Sequence, residues 1–289
     1  MKGCRSARIQ ILTSACMFST AGLFMGLLHS DVWTILFWRS LFAAVFTLLL
    51  ISLHRDIGVA FRFDRAGLLA IFFSSGATIL FIPALDLTSV ANVAAIHGAL
   101  PLLTVAAAAL FIREPVDRLT FALCCLLSFG TVVIFAGSAS SSTGMLGDGL
   151  ALLMTAFMAM MTVAFRQSAI PSVLGVVALS NILVTAVSVS FTNALAVTVV
   201  EAAILASFAL FQMTFGLLFY AQGSRLLAPA ESAMLSLVEV PLAGLWVWLA
   251  FDQRPAFQTI AGGGVILIAV LVHLAFMLAS SARRENRKE

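Results

Sequence analysis

One strip of this sequence occurs twice at a fixed spacing, and few folds can satisfy both copies. The first copy runs from Pro101 through an apolar stretch to Phe111, then Arg113-Glu114-Pro115, then a fresh apolar run from Leu119. The second runs from Pro241 to Phe251, then Gln253-Arg254-Pro255, then an apolar run from Thr259. The prolines and phenylalanines keep one offset, 241−101 = 255−115 = 251−111 = 140. A helix-interior Pro, a helix-ending Pro and a new apolar helix thus form a unit present in two copies, and such internal repetition governs the rest of the reading.

The material between the copies fixes the solvent. Of the 289 residues, 62% are hydrophobic and 10% charged, whereas water-soluble domains carry roughly a quarter charged residues. The chain therefore reads as an all-α polytopic membrane protein. Spans of roughly 20 apolar residues are predicted near 9–28, 31–53, 67–86, 89–111, 118–136, 147–165, 173–197, 202–221, 228–250 and 257–278. The N-terminal run is of full spanning length and lacks a small-residue cleavage site, so it reads as a first span and not a removed leader. A Gly/Ser-rich stretch, Gly137 to Gly144, separates residues 1–144 from 145–289, with five predicted helices on each side.

Positive charge sets the orientation. With the N-terminus inside, the inner segments hold 14 of the 16 Lys and Arg residues; Arg254 alone falls in an outer loop and Arg39 lies within a span. Both termini are expected in the cytoplasm. Five is odd, so the second half must enter the membrane opposite to the first. Ten helices in two inverted five-helix repeats is an architecture of secondary transporters, with the substrate site near the midplane between the repeats.

These halves resemble the five-helix EamA-type module of the drug/metabolite transporter superfamily. The resemblance rests on Asn92-Val-Ala-Ala-Ile-His-Gly-Ala-Leu-Pro101, Arg113-Glu114-Pro115 and Gly130 in the first half. In the second it rests on Ala233 to Pro241, Arg254-Pro255 and Gly262-Gly263-Gly264, with Gly147-Asp148-Gly149-Leu150-Ala151-Leu152 opening the module. Trp38-Arg39-Ser40-Leu41-Phe42-Ala43-Ala44 matches the second-span pattern, and Glu114 has no counterpart at the matching offset, where Arg254 stands. The resemblance implies a bacterial inner-membrane protein that exports amino acids or related small metabolites. Transport of nucleotide-sugars, phosphorylated compounds or drug-like molecules is the alternative within the class, and a phosphorylated ligand would call for more midplane cations than Arg39 alone.

Ionisable groups at membrane depth are costly and point to function. Glu239 falls at the centre of its predicted span, and Arg39 and His97 each lie about 4–5 Å from the centre of theirs. Three roles stand open for the charged pair. Arg39 and Glu239 form a structural ion pair, or hold the carboxylate and ammonium of a zwitterion, or Glu239 takes a coupling proton. His97 is a further titratable candidate. Asn92, Trp38 and Tyr220 are candidate substrate contacts. Pro83, Pro101, Pro241 and Gly223, the last standing 140 residues after Pro83, are candidate hinges for a rocking motion. Asp86 and Glu231 near span ends are expected to snorkel to headgroups, and His273 to lie at the interface. Asn181 and Gln212 are expected to hydrogen-bond between helices.

Several functions lack their residues. No GxxxxGK[ST] phosphate loop occurs, nor HExxH, nor GxSxG, so no cofactor, metal or catalytic centre is expected. The four cysteines lack metal-ligand spacing. A membrane-embedded enzyme or assembly subunit, the alternative from another class, would need clustered reactive groups or long soluble appendages. The net charge of +3 follows from the inner loops and suggests no nucleic acid. The expected partners are a small-molecule substrate and the lipid bilayer, with proton coupling through Glu239 one of the open roles and facilitated diffusion the other.

Overall fold

The computed structural model describes residues 2–53, 57–88, 90–136, 145–192, 195–252 and 257–285. Among these residues the regular elements are all helical. The first half holds α1 (Lys2–Phe18), α2 (Ala21–Met25), α3 (Val32–Leu53), α4 (Ile57–Ala60), α5 (Arg65–Leu87), α6 (Val90–His97), α7 (Leu100–Ala107), a π-helical turn (Ala108–Ile112) and α8 (Arg118–Ala136). The second holds α9 (Met145–Gln167), α10 (Leu174–Ser188), α11 (Val199–Phe208), a π-helical stretch (Ala209–Gly216), α12 (Leu217–Ser224), α13 (Pro229–Ser236), α14 (Glu239–Phe251) and α15 (Phe257–Glu285).

Five rods are long and apolar enough to cross a bilayer: Val32–Leu53, Arg65–Ala84, Met145–Gln167, Val199–Ser224 and Pro229–Ala250, the last taken through a break. Shorter apolar helices occupy Leu100–Ile112, Arg118–Val133, Leu174–Ser188 and Ile260–Phe276. Large apolar side chains such as Leu49, Phe72, Leu110, Phe129 and Leu271 face outward. So much exposed apolar surface suits hydrocarbon and not water. Helices then satisfy the backbone internally, as a bilayer demands.

The two halves interleave. α3 packs along α10, α5 along α9, α8 along α15 and α1 along α12, so each of these first-half helices lies against a second-half partner. Small residues set the approach. A Cβ on Gly175 would stand 1.7 Å from the carbonyl oxygen of Ala60, and one on Gly76 2.3 Å from the Phe157 ring. The principal apolar cluster draws Ile11, Leu127, Phe165, Tyr220, Met234 and Ile266 from both halves.

Several predicted spans are not continuous. The first is interrupted at Ser19–Thr20, where the Ser19 and Thr20 hydroxyls donate to the carbonyls of Cys16 and Met17, each at 2.6 Å. Such local bonds compete with the helical ladder. The fourth breaks at Gly98–Ala99 and the ninth at Leu237–Val238. Pro has no N–H, so Pro101 leaves the His97 carbonyl, and Pro241 the Leu237 carbonyl, without the usual i+4 donor. At the second break Val240 N donates to Leu237 O instead, at 3.1 Å. The seventh span ends at Ser188, short of the predicted 197, within a Ser/Thr-rich stretch where the Thr192 hydroxyl takes the Ser188 carbonyl at 2.8 Å. A capping box of Thr198 and Glu201 then starts α11.

Both copies of the repeated strip end in a left-handed residue, Arg113 (φ 51°) and Asp252 (φ 52°). The spacing from the helix-interior Pro is 113−101 = 12 residues in the first copy and 252−241 = 11 in the second. The first copy holds its additional residue in the π-helical turn Ala108–Ile112, which widens one turn of a helix without ending it.

Two predictions follow from this packing. Gly175→Ala forces a Cβ into backbone and should cost about 1–3 kcal/mol by overpacking; Gly149→Ala, which meets nothing within 4 Å, should not lower stability. Thermal unfolding in detergent distinguishes them, and equal melting temperatures would contradict the close approach. At the start of α8, Asp117 accepts from the Thr120 hydroxyl and amide, and the hydroxyl bond foremost holds its carboxyl below the usual range. A depressed carboxyl contributes stability that is present above its unfolded-state pKa and lost as pH falls through the lower folded value. Asp117→Asn should therefore lower the melting temperature at neutral pH, with the gap to the native chain narrowing in acid.

Candidate functional site

The two breaks in the repeated strip face each other. His97 is the last residue of α6 and Glu239 the first of α14, and His97 Nε2 lies 3.0 Å from Glu239 Oε1. The partners come from opposite halves, and their side chains are only 12% and 18% exposed. Each sits where a helix end suits its charge. A helix C-terminus favours an imidazolium, and a helix N-terminus with its free amides favours a carboxylate. The Nδ1 of His97 is buried without a hydrogen-bond partner among the described residues. An incoming ammonium would compete with His97 for the Glu239 carboxylate.

Arg39 is elsewhere. It is 1% exposed on α3, donates from Nη1 to Gln212 Oε1 at 3.2 Å and lies 5.0 Å from the centroid of the Phe208 ring. Its Nε and Nη2 have no hydrogen-bond partner among the described residues. The Arg39–Glu239 ion pair considered from sequence is thus not formed; Glu239 is engaged by His97 and Arg39 by Gln212. Gln212 meets the expectation of an interhelical bond, also donating to Phe18 O at 3.2 Å, where α1 ends. A second tether reaches the same break, for Trp246 Nε1 on α14 donates to Ser19 Oγ at 2.8 Å. An isolated buried cation costs on the order of several kcal/mol, and one neutral amide plus a ring face offset only part of that. The geometry leaves two guanidinium donors for an anion.

The remaining candidates separate. Trp38 donates to the Leu195 carbonyl at 3.0 Å, away from His97 and Glu239. Tyr220 is 1% exposed in the apolar core, bonded to Thr162 Oγ1 at 2.5 Å, which makes it a packing residue in this conformation. The side chains of Asn92 and Asp86 lie outside the described residues. Pro83 sits within continuous α5, while Pro101 and Pro241 follow the breaks. A Cβ on Gly223 would meet Ile11 at 2.7 Å, so this glycine marks close contact with α1. Asn181 bonds within its own helix, to Val177 O at 2.8 Å.

Besides Asn181, whose bond is not interhelical, two further expectations are overturned. Glu231 does not snorkel and His273 is not interfacial; they are 5% and 2% exposed. Arg8 Nε lies 2.6 Å from Glu231 Oε1, and His273 Nε2 lies 3.7 Å from the same oxygen. The sequence carries a signal for this: with the N-terminus inside, Arg8 precedes the first span and Glu231 opens the ninth, which also starts at the inner face, and the two carry opposite charge.

Apolar helices of this length, with broken rods that meet at His97 and Glu239, are the build of an integral membrane protein. Residues 5–136 match the model of the EamA-like transporter family. A solved crystal structure sharing 18% sequence identity superimposes with a TM-score of 0.81, covering 93% of this chain and 96% of the other. That likeness speaks to the fold, and it extends well beyond the matched half. No curated protein matches the chain.

A double-mutant cycle tests the pairing. His97 and Glu239 should couple by about 0.5–3 kcal/mol in detergent stability, whereas Arg39 and Glu239, lacking contact, should be additive within about 0.5 kcal/mol. Coupling of Arg39 to Glu239 and not of His97 would reverse the assignment.

Proposed function

We propose that the chain is a secondary transporter of ten spans in two inverted five-helix repeats, exporting amino acids or related small metabolites across a bacterial inner membrane with both termini cytoplasmic. The observation that carries this reading is the His97–Glu239 contact. It joins the two copies of one sequence strip at their helix breaks, where the halves must part if the molecule is to open alternately to each side. Five rods of spanning length and four shorter apolar helices, with α1–α2 as the remaining span, supply the ten.

The mechanism follows from competition at two charged groups. An amino acid brings an ammonium, which exchanges with His97 at Glu239, and a carboxylate, which takes the free Nε and Nη2 of Arg39. Loss of the His97–Glu239 contact releases α6 from α14. The proline-linked breaks at Pro101 and Pro241 then let the half-helices reorient. A proton that neutralises Glu239 removes the charge attraction and weakens the same contact without substrate, which is the proposed basis of proton coupling.

Uptake of labelled amino acids into proteoliposomes, with and without a pH gradient, tests this. Native protein should show saturable uptake, Arg39→Gln should lose at least about tenfold in apparent affinity, and Glu239→Gln should lose gradient stimulation while retaining exchange. Pro101→Ala or Pro241→Ala should slow turnover more than binding. Well-folded protein that moves no amino acid would overturn the substrate assignment, and undiminished gradient stimulation in Glu239→Gln would remove the proton from that residue.

A further inference from the structure

At the arginine-rich end of the bundle, Glu231 and His273 line a cavity of about 100 Å³. It runs between the connection that precedes α8 (Glu114, Pro115, Asp117) and the start of α13 (Ala228, Pro229). Pro115 and Asp117 at its rim are exposed, while Glu231 and His273 are buried. Both ring nitrogens of His273 lack a hydrogen-bond partner among the described residues. Its approach to Glu231, at 3.7 Å, is electrostatic and beyond hydrogen-bond reach. A buried imidazole with both nitrogens unanswered, beside a space several times larger than one water requires whose largely apolar wall also carries Glu114, Asp117, Thr120 and Glu231, is a site that water enters.

We propose that Glu231 and His273 form a second proton-binding site, hydrated through this cavity and held in competition with Arg8. A proton passes from a hydronium ion in the cavity to a ring nitrogen of His273, leaving a neutral water and an imidazolium beside the Glu231 carboxylate. Two cations, Arg8 and His273, then face one anion, and the Arg8 contact between α1 and α13 weakens. Deprotonation returns the proton to water and restores it.

The surrounding charges support this assignment. α1 presents Arg8 and α15 presents His273, while Glu114 and Asp117 stand at the rim before α8. Arg166 of α9 is turned to Glu114 at 3.5 Å and to the Arg225 carbonyl, and Arg225 donates to the Ile170 carbonyl. α7 carries no ionisable side chain, and the Tyr220 hydroxyl of α12 is bonded to Thr162. Glu239 lies eight residues beyond Glu231 in sequence, about 12 Å at helical rise, across the Leu237–Val238 break. The same broken rod therefore carries a carboxylate–imidazole pair on each side of its break. The site stands on its own geometry, and only its coupling to transport rests on the proposed function.

Histidine-selective ¹³C NMR of the full chain in detergent micelles tests it without any transport assay. The chain has four histidines, so His273→Gln assigns the signal. The His273 resonance should respond to pH. Glu231→Gln should lower its midpoint by about one unit, a tenfold change in proton affinity, and Arg8→Gln should raise it. Glu239→Gln should shift His97 and leave His273 in place. A His273 signal that does not titrate, or a midpoint indifferent to Arg8→Gln, would overturn the proposal, and so would a His273 midpoint that follows Glu239. Should Glu231→Gln fail to fold, the native titration and Arg8→Gln decide the matter.

Discussion

A helix that ends inside a bilayer leaves backbone groups that water cannot reach, and the centre of this molecule depends on how those ends are matched. α6 stops at His97 and α14 starts at Glu239. A carbonyl-rich terminus thereby carries an imidazole, an amide-rich terminus carries a carboxylate, and the two side chains meet. Each break is made by a proline four residues on, which withdraws one N–H from the ladder. The polarity of the site is thus a product of backbone geometry before any side chain is considered.

Much of this was legible in the chain. The 140-residue offset identified the two strips, the prolines marked where helices would be disturbed, and Glu239 and His97 were singled out by depth. Their pairing was not legible, because hydropathy gives depth along a helix and says little about rotation or neighbours. Arg39 illustrates the limit. Its depth matched it with Glu239, the other charge deep within a span, yet its contact is the neutral Gln212 in a π-helical stretch whose altered pitch no period-3.6 reading anticipates.

Glu231 fails differently. Placement near a span end argued for snorkelling, which assumes that the end faces lipid. Here α13 is packed among α1, α7, α8 and α9, all eight of its residues are buried, and the carboxylate finds Arg8 and His273 inside the protein. The hydroxyl-driven interruption at Ser19–Thr20 was likewise hidden, since Ser and Thr are common in membrane helices and break them only when their local bonds prevail over the ladder.

The interleaving of the halves bears on how the protein is made. α3, α5 and α8 emerge from synthesis before α10, α9 and α15, yet those later helices are the surfaces on which they pack. Until then the glycine notch at Gly76 awaits Phe157, and the Ala60 carbonyl awaits Gly175. The first half must therefore wait in the membrane as separately stable helices with unfilled grooves, and assembly is completed from the C-terminal side. A premature stop shortly after residue 136 would leave a set of inserted but unmated helices, the kind of species that membrane quality control is built to remove.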